Sequence, residues 1–164
     1  MSALNSPAVK RVREILKTYN SEAIIIELEE TARTANDAAK NIGTELGSIV
    51  KSLVFTISSQ PVMVLISGDK FCDTKILNNV FGISGKVQRL NAESVRSVTG
   101  FSIGGVAPLG HLVEIPVAID SALQRFNPIY AAAGHPHCVF STTFEELKII
   151  TGGLISEEVS VISV

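Results

Sequence analysis

The sequence is poor in charged residues and in cysteine. Asp, Glu, Lys and Arg make up only 18% of its 164 residues, and the formal net charge is −2. Such a chain does not suit a wide electrostatic clamp on nucleic-acid phosphates, although a local basic patch stays open. The two cysteines, Cys72 and Cys138, are not spaced as a CxxC motif. We therefore expect buried free thiols rather than a disulfide or a redox pair.

Long apolar runs are also missing. No run approaches the ~18 residues that a membrane span requires, and the N-terminus has no uninterrupted apolar segment typical of a signal peptide. Hydrophobic residues nevertheless make up 46% of the chain, and the mean hydropathy is +0.34. This balance is typical of a globular domain with a large core. We expect one domain over residues 1–164 in a soluble, cytoplasmic protein, with neither a membrane nor DNA as a partner.

Several familiar catalytic motifs do not occur. The sequence contains no GxSxG, HExxH or GxxxxGK[ST], and its glycines at 100, 104 and 105 do not fit GxGxxG. His135, His137 and Cys138, with His111 as a fourth ligand, are candidates for a metal site. However, a proline separates His135 from His137, and no acidic ligand adjoins them. We expect no metal and no cofactor, and the metal-dependent hydrolase stays a third alternative.

Hydrophobic periodicity and capping residues predict short helices interleaved with short strands. Helices are expected to begin at the caps Ser6, Thr34, Asp73, Asn91 and Thr143, with another short helix at 121–126. The predicted strands are 23–28, 49–57, 61–67, 86–90, 116–119, 128–133, 138–141 and 159–162, and the second and third form a hairpin. The uneven spacing of the strands favours the mixed α/β class, with helices packed on a mixed sheet.

One predicted strand carries a lysine among apolar residues. In IVKSLVF, residues 49–55, side chains alternate between faces, so Lys51 shares a face with Ile49, Leu53 and Phe55. A lysine in this place either snorkels to water from an edge strand or points a partly desolvated ammonium into a pocket. The pattern leaves both interpretations open.

Two further segments each allow a structural and a functional interpretation. Gly104–Pro108, GGVAP, is either a sharp connection or a rigid loop that presents bare backbone N–H groups to a ligand. The first helix carries Lys10, Arg11, Arg13 and Lys17 mostly away from its apolar stripe. These cations form either a solvated face or a weak phosphate-contacting patch.

Four segments occur together in an order and at separations that are specific to one family. They are IVKSLVF at 49–55, VLISGD at 64–69, TGFSIGGVAPLGH at 99–111 and AAAGHPH at 131–137. On these segments, from about residue 7 to about residue 152, the chain closely resembles the YbaK/EbsC family. Its members are free-standing relatives of the editing domain in bacterial prolyl-tRNA synthetases.

The resemblance implies both a fold and an activity. The implied fold is a mixed sheet curled into a partial barrel with helices around it. The implied activity is that of an aminoacyl-tRNA deacylase acting in trans, which hydrolyses the ester between a wrong amino acid and the 3′-terminal adenosine of tRNA. The acceptor end of the tRNA is then the main partner, and a synthetase or an elongation factor is a further candidate.

The resemblance also implies the residues of the site. The family lysine matches Lys51, as an electrostatic anchor or a base, and the GxxxP loop matches Gly104–Pro108, whose amides are expected to stabilise the oxyanion. The implied catalytic residues are Lys51, Gly104, Gly105 and His135. The implied substrate-binding residues are Phe101, Ser102, Ile103, Val106, Pro108, Ala132 and Gly134.

One departure from the family pattern bears on the substrate. The cysteinyl-tRNA branch tends to carry serine where this chain has Ala132, and lysine where it has His135. The resemblance therefore favours branches that clear small residues such as alanine, serine or threonine, from tRNA-Pro or another tRNA. The competing hypothesis is a non-catalytic binding module that uses the same pocket or partners a synthetase, which the pI of about 5.9 mildly favours.

Overall fold

The computed structural model describes residues 2–162. Its α-helices are α1 (Pro7–Thr18), α2 (Ala35–Ile42), α3 (Leu77–Phe81), α4 (Ala92–Thr99) and α5 (Phe144–Thr151). Its strands are β1 (Ile25–Glu27), β2 (Ile49–Ile57), β3 (Gln60–Ser67), β4 (Phe71–Cys72), β5 (Val87–Arg89), β6 (Val117–Asp120), β7 (Ile129–His135), β8 (Cys138–Thr142), β9 (Leu154–Ser156) and β10 (Ser160–Val161). None of the helices within these residues is long and apolar enough to cross a membrane.

Local capping chemistry accounts for the helix boundaries. The predicted caps Ser6, Thr34, Asn91 and Thr143 are confirmed, because each side chain accepts a hydrogen bond from the backbone N–H three residues on. Asp73 caps a short 3₁₀ turn, Thr74–Ile76, which leads into α3. The predicted helix at 121–126 is also 3₁₀, at Ser121–Arg125.

The predicted strands are confirmed, with boundary differences of one residue at each end of β5 and β10, a shift of one residue in β6, and three larger differences. β1 is shorter than expected, at Ile25–Glu27. β7 continues through residues 134 and 135, so the expected four-residue turn shrinks to Pro136-His137. The short strands β4 and β9 were not predicted, because two or three residues are too few to show a period.

The main sheet is mixed and open. Its strand order is β1-β8-β7-β2-β3-β6-β9, and β5 also pairs with β2. The pairs β2–β7, β3–β6 and β6–β9 are parallel, and the other pairs are antiparallel. β1 and β9 end this order without pairing with each other, so the sheet forms only part of a barrel. The predicted mixed α/β class is confirmed.

Both faces of the central strands are buried. Val50 and Val54 of β2 belong to the larger core cluster, which includes residues of α1, α4 and α5. Phe55 and Ile57 of the same strand belong to a second cluster, which includes Leu77 of α3. Burial on two sides explains the nearly continuous apolar sequences of β2 and β3, and it makes a lysine within β2 costly unless its ammonium reaches polar groups.

Helix α1 holds the glycine-rich segment that follows α4. Arg11 donates from Nε to the carbonyl of Gly110 at 2.7 Å and from Nη2 to that of Thr99 at 3.3 Å. Its guanidinium carbon lies 4.6 Å from the ring centroid of Phe101. Arg13 also donates to a backbone carbonyl, at 3.1 Å. The hypothesis of a phosphate-contacting patch on α1 is therefore wrong for these two arginines, which bind the protein itself.

Arg11→Leu should lower the free energy of unfolding by about 2 kcal/mol, because it removes two charge-assisted hydrogen bonds and leaves two carbonyls without their donor. Lys17→Gln on the same helix is the matched control. Its side chain is exposed and makes only a surface ion pair with Glu14, at 3.6 Å. Urea denaturation measures both variants. Equal stability of the two variants would contradict the assigned role of Arg11.

His111 holds the same segment from within. Its Nε2 lies 2.8 Å from the carbonyl of Ala107, and because a carbonyl only accepts, this nitrogen carries the proton. The ring meets that of Phe101 edge-on, with centroids 6.1 Å apart. Burial lowers the pKa of His111 below its ordinary value; the bond to Ala107 partly offsets this, and the charge of Arg11 lowers the pKa further.

The partly buried, uncharged state of His111 predicts a pH dependence of the free energy of unfolding. Unfolding returns the imidazole to an ordinary pKa of about 6.5, so the unfolded chain binds more protons below that pH. The free energy of unfolding should therefore fall as pH decreases from about 7 to 5. In His111→Gln the amide can still donate to Ala107, but it does not titrate. The part of the pH dependence that comes from His111 should therefore disappear in this variant. Identical slopes in denaturation series across this range would contradict the prediction.

Candidate functional site

Strand β2 has an unpaired stretch along one edge. On that edge it pairs with β7 only at Ile49 and Val50, and with β5 only at 55–57. On its other edge β3 pairs with it continuously from Val50 to Ile57. Residues 51–54 therefore have no strand beside them on the β7/β5 edge, and a slot opens in the middle of the sheet.

The backbone groups that face this slot belong to Ser52 and Val54. The carbonyl of Ile49 accepts from Gly68 on the β3 side, and the N–H of Ser58 donates to Lys86 on the β5 side. Because backbone groups alternate between the two edges along a strand, odd-numbered residues of β2 face β3 and even-numbered ones face the slot. An unpaired strand edge inside a cavity supplies both donors and acceptors to a ligand.

A cavity of about 320 Å³ occupies the slot. Its walls are residues 32–35 and Ala38 at α2, 49–54 of β2, the loop residues Ile103, Gly104 and Val106, 130–132 of β7, Arg89, Leu90, Val95 and Val139. Arg33, Lys51 and Arg89 are the charged residues of this wall, and all three are cationic. Within residues 2–162, no carboxylate, imidazole or thiol lines the cavity.

Lys51 lies at one side of this cavity with its side chain half-buried. Its ammonium donates to the carbonyl of Lys70 and lies 5.2 Å from the ring centroid of Phe71. Burial lowers the pKa of the Lys51 ammonium below its ordinary value, and the carboxylates of Asp69 and Asp120 partly offset this effect. Of the two interpretations of this lysine, the structure favours the partly desolvated cation in a pocket.

A braced turn holds the acceptor of the Lys51 ammonium. The N–H of Lys70 donates to the carbonyl of Ser67 at 2.9 Å. Arg125 donates to both carboxylate oxygens of Asp69, at 2.6 and 3.0 Å, and this pairing holds the pKa of Asp69 below its ordinary value. Asp120, buried beside the turn, accepts from the N–H of Ser67 at 3.1 Å. The lysine head therefore has a defined position.

The glycine loop forms another part of the cavity wall. Gly104 has a φ of +94°, and a Cβ added there would lie 2.9 Å from the Cγ of Arg33. Gly105 donates its N–H to the carbonyl of Ser102 at 2.9 Å, so this amide closes a turn. The expectation that the Gly105 amide is a free donor to the oxyanion is therefore wrong. The N–H groups of Gly104 and Val106 have no acceptor among residues 2–162.

The structure brings together only part of the predicted site. Lys51, Ile103, Gly104, Val106 and Ala132 line the cavity. The other six residues do not line it: Phe101 and Pro108 are buried in the protein, Ser102 accepts from Arg96 at 2.7 Å, Gly134 packs against the backbone of Ala8, and Gly105 and His135 lie against each other. These six support the wall rather than form it.

The backbone of His135 supports the glycine loop. A Cβ at Gly105 would lie 2.8 Å from the Cα of His135, so the two chains are in direct contact. The Nδ1 of His135 accepts from the N–H of His137 at 3.0 Å. No group of three His, Cys, Asp or Glu side chains in the described chain is placed to hold a metal ion. The structure therefore does not bring the candidate ligands His111, His135, His137 and Cys138 together as a ligand set.

Several residues of the cavity wall were not predicted from the sequence. Ser52 shows the clearest sign of function among them. Its Oγ is the single buried side-chain polar atom within residues 2–162 that has no hydrogen-bond partner. Arg33, Arg89 and Tyr130 also line the cavity. The strand alternation places Ser52 opposite Lys51, but it cannot show that the edge beside Ser52 is open.

Comparison with known proteins identifies the family. Residues 29–149 match the model of the aminoacyl-tRNA editing domain. YwhH of Bacillus subtilis strain 168, a protein described as uncharacterized, is 33% identical over 86% of this chain and 89% of its own length. EbsC of Enterococcus faecalis, named as a candidate Cys-tRNA(Pro)/Cys-tRNA(Cys) deacylase, is 29% identical over 76% of each chain.

A solved structure agrees with this assignment. The crystal structure of a candidate trans-editing enzyme for prolyl-tRNA synthetase superposes with a TM-score of 0.84 at 36% identity, covering 92% of this chain and 96% of that one. The open mixed sheet, the lysine of β2 and the glycine loop accompany a family match that spans most of the chain. The chain therefore belongs to the aminoacyl-tRNA editing domain family.

Proposed function

We propose that this protein is a trans-editing deacylase that hydrolyses the ester of a tRNA mischarged with a small amino acid. Alanine, serine and threonine are the proposed residues, and tRNA-Pro is the first candidate tRNA. The observation that carries the proposal is the small, mostly apolar cavity at the open edge of β2, which both Lys51 and the Gly104 loop line.

The size of the cavity supports a role in selection. A synthetase separates amino acids that differ by one methylene by only ~1–3 kcal/mol, and a second site that admits only the smaller one removes the error. Ala132, Val106 and Ile103 contribute apolar side chains to the wall of the cavity. We propose that these side chains exclude larger amino acids, while the orphan hydroxyl of Ser52 and the free backbone of β2 bind the α-amino group.

The chemistry can proceed without a side-chain base. Water attacks the ester carbonyl, the bond to the ribose oxygen breaks, and that oxygen takes the proton. The free amides of Gly104 and Val106 are the proposed donors to the oxyanion. Lys51 is the proposed anchor for the nucleotide side of the ester, and the neighbouring ribose hydroxyl relays the proton. Gly105 and His135 hold the loop in place.

The proposed substrate sets the partners and the location. The acceptor end of aminoacyl-tRNA is the main partner, and a prolyl-tRNA synthetase is the proposed associate, since a structural relative is described as a trans-editing enzyme for it. The relatives give no support for an elongation factor. Charged tRNA is made and used in the cytoplasm, where we expect the protein to act.

The second candidate function is a non-catalytic binding module that uses the same cavity. The observation that favours it is the lack of an acid, imidazole or thiol among the lining residues that the structure describes. Such a module would bind an aminoacyl end without releasing the amino acid.

A deacylation panel separates the two functions. The protein in excess is incubated with tRNAs charged with alanine, serine, threonine, cysteine and proline, and release of the amino acid is followed. We expect release of at least one of the first three amino acids. In Lys51→Met the rate of release should fall roughly 100-fold.

The melting temperature of Lys51→Met should stay unchanged or rise, since a partly desolvated charge is removed. Full activity of Lys51→Met would contradict its role, release of cysteine alone would contradict the proposed substrates, and no release from any tRNA would favour the binding module.

The two glycines of the loop should respond differently to alanine. Gly104→Ala places a Cβ beside the free amides and strains a positive φ, so we expect the single-turnover rate to fall ~10²–10³-fold. Gly105→Ala meets the backbone of His135 and should mainly lower the melting temperature. Single-turnover rates in the cold and melting curves measure both effects. A Gly104→Ala variant that hydrolyses normally would show that the oxyanion donors lie elsewhere.

A further inference from the structure

A second cavity lies behind Lys51, on the face of β2 opposite to Ser52. It has a volume of about 450 Å³, and it is lined by Leu53 and Phe55 of β2, Phe71 and Cys72 of β4, Thr74, Val87, Arg89 and Lys51 itself. Lys51, Leu53 and Arg89 line both cavities. We name the cavity at the open edge of β2 the aminoacyl chamber and the second cavity the rear chamber. These three residues therefore form a common wall of the two chambers.

The rear chamber combines an exposed aromatic ring with two cations. Phe71 keeps 45% of its surface exposed although it lies in a strand that pairs with β10. Lys51 lies beside its ring, and the guanidinium carbon of Arg89 lies 5.7 Å from the ring centroid of Phe55. Neither cation forms an ion pair with a carboxylate of residues 2–162. An aromatic surface next to unpaired cations suits a nucleobase and a phosphate.

The nearby acidic groups are already engaged. Asp69 is held by Arg125, and Asp73 accepts from the N–H of Lys75. Asp120 is buried and accepts from three donors in the protein. The remaining titratable group of the wall is Cys72, and burial raises the pKa of its thiol to about 11, so it is uncharged. The lining of the rear chamber therefore contains two cations and no carboxylate, and the carboxylates of Asp69, Asp73 and Asp120 lie outside that lining.

We propose that the rear chamber binds the terminal nucleotide of the tRNA acceptor end, with its base against Phe71 and its 5′-phosphate at Arg89. This inference rests on the proposed function, in which the ester lies in the aminoacyl chamber and the nucleotide that carries it must lie immediately beyond Lys51. The amino acid is then selected by size in one chamber, and the nucleotide is bound by stacking and charge in the other.

The first test is binding of 5′-AMP, followed by the NMR shifts of backbone amides. Saturable shifts are expected in residues 71–74 and 87–89. Base–aromatic stacking and a phosphate contact each predict a roughly tenfold weaker Kd in Phe71→Ala and in Arg89→Gln. Leu112→Ala, at another exposed apolar side chain, and Lys17→Gln, at another exposed cation, are the matched controls and should leave the Kd unchanged.

A second probe separates the base from the phosphate. Inorganic phosphate should lose affinity in Arg89→Gln but not in Phe71→Ala, because only the nucleobase uses the ring. Phe71→Leu keeps the apolar surface without the aromatic face, and should behave as Phe71→Ala does. If 5′-AMP binds equally well to wild type and to both phenylalanine variants, the chamber is a simple anion site and the proposal is overturned.

Kinetics on mischarged tRNA complete the test and separate it from the proposed function. Phe71→Ala and Arg89→Gln should raise KM roughly tenfold with little change in kcat, because both remove binding that substrate and transition state share. Deacylation with an unchanged KM in both variants would overturn the rear chamber while the proposed function stands. Ring-dependent binding of 5′-AMP without any deacylation would support the rear chamber and overturn the proposed hydrolase.

Discussion

The open edge of β2 is the constraint on which the rest of the site depends. A sheet strand ordinarily pairs along its full length, because unpaired backbone groups inside a protein are costly. Here β7 and β5 share one edge of β2 and leave residues 51–54 between them. The cavity, the free backbone of Ser52 and the orphan hydroxyl all follow from that gap. A ligand that bonds to the gap removes the cost of leaving it open.

Lys51 can serve this site because its surroundings balance its charge. The strand buries both of its faces, so an ammonium in it loses hydration. The carbonyl of Lys70, placed by the Asp69–Arg125 pair, and the two carboxylates nearby restore part of that loss. The remaining imbalance favours an anion close to the lysine. This matches a proposed substrate whose ester lies on one side of Lys51 and whose phosphate lies on the other.

Much of the family motif supports the cavity without forming its wall. Arg11 and His111 hold the segment 99–111 from the side of α1, and the backbone of His135 holds it at Gly105. Between them only the short stretch from Ile103 to Val106 reaches the cavity, omitting Gly105. A loop fixed on both sides presents its amides without reorganisation, and this is the condition under which backbone donors stabilise an oxyanion well.

Features that depend on neighbouring residues could be predicted from the amino-acid sequence. Apolar, β-branched composition predicted β2 and β3, and side-chain caps predicted the starts of α1, α2, α4 and α5. A lysine in an apolar strand and a pair of glycines indicated two parts of the site. Three other features required the folded chain: which edge of β2 is open, that the Gly105 amide is already hydrogen-bonded, and that Arg89 and Phe71 line the same cavity as Lys51. These features join residues far apart in the chain, and pairing between distant strands leaves no local period to detect.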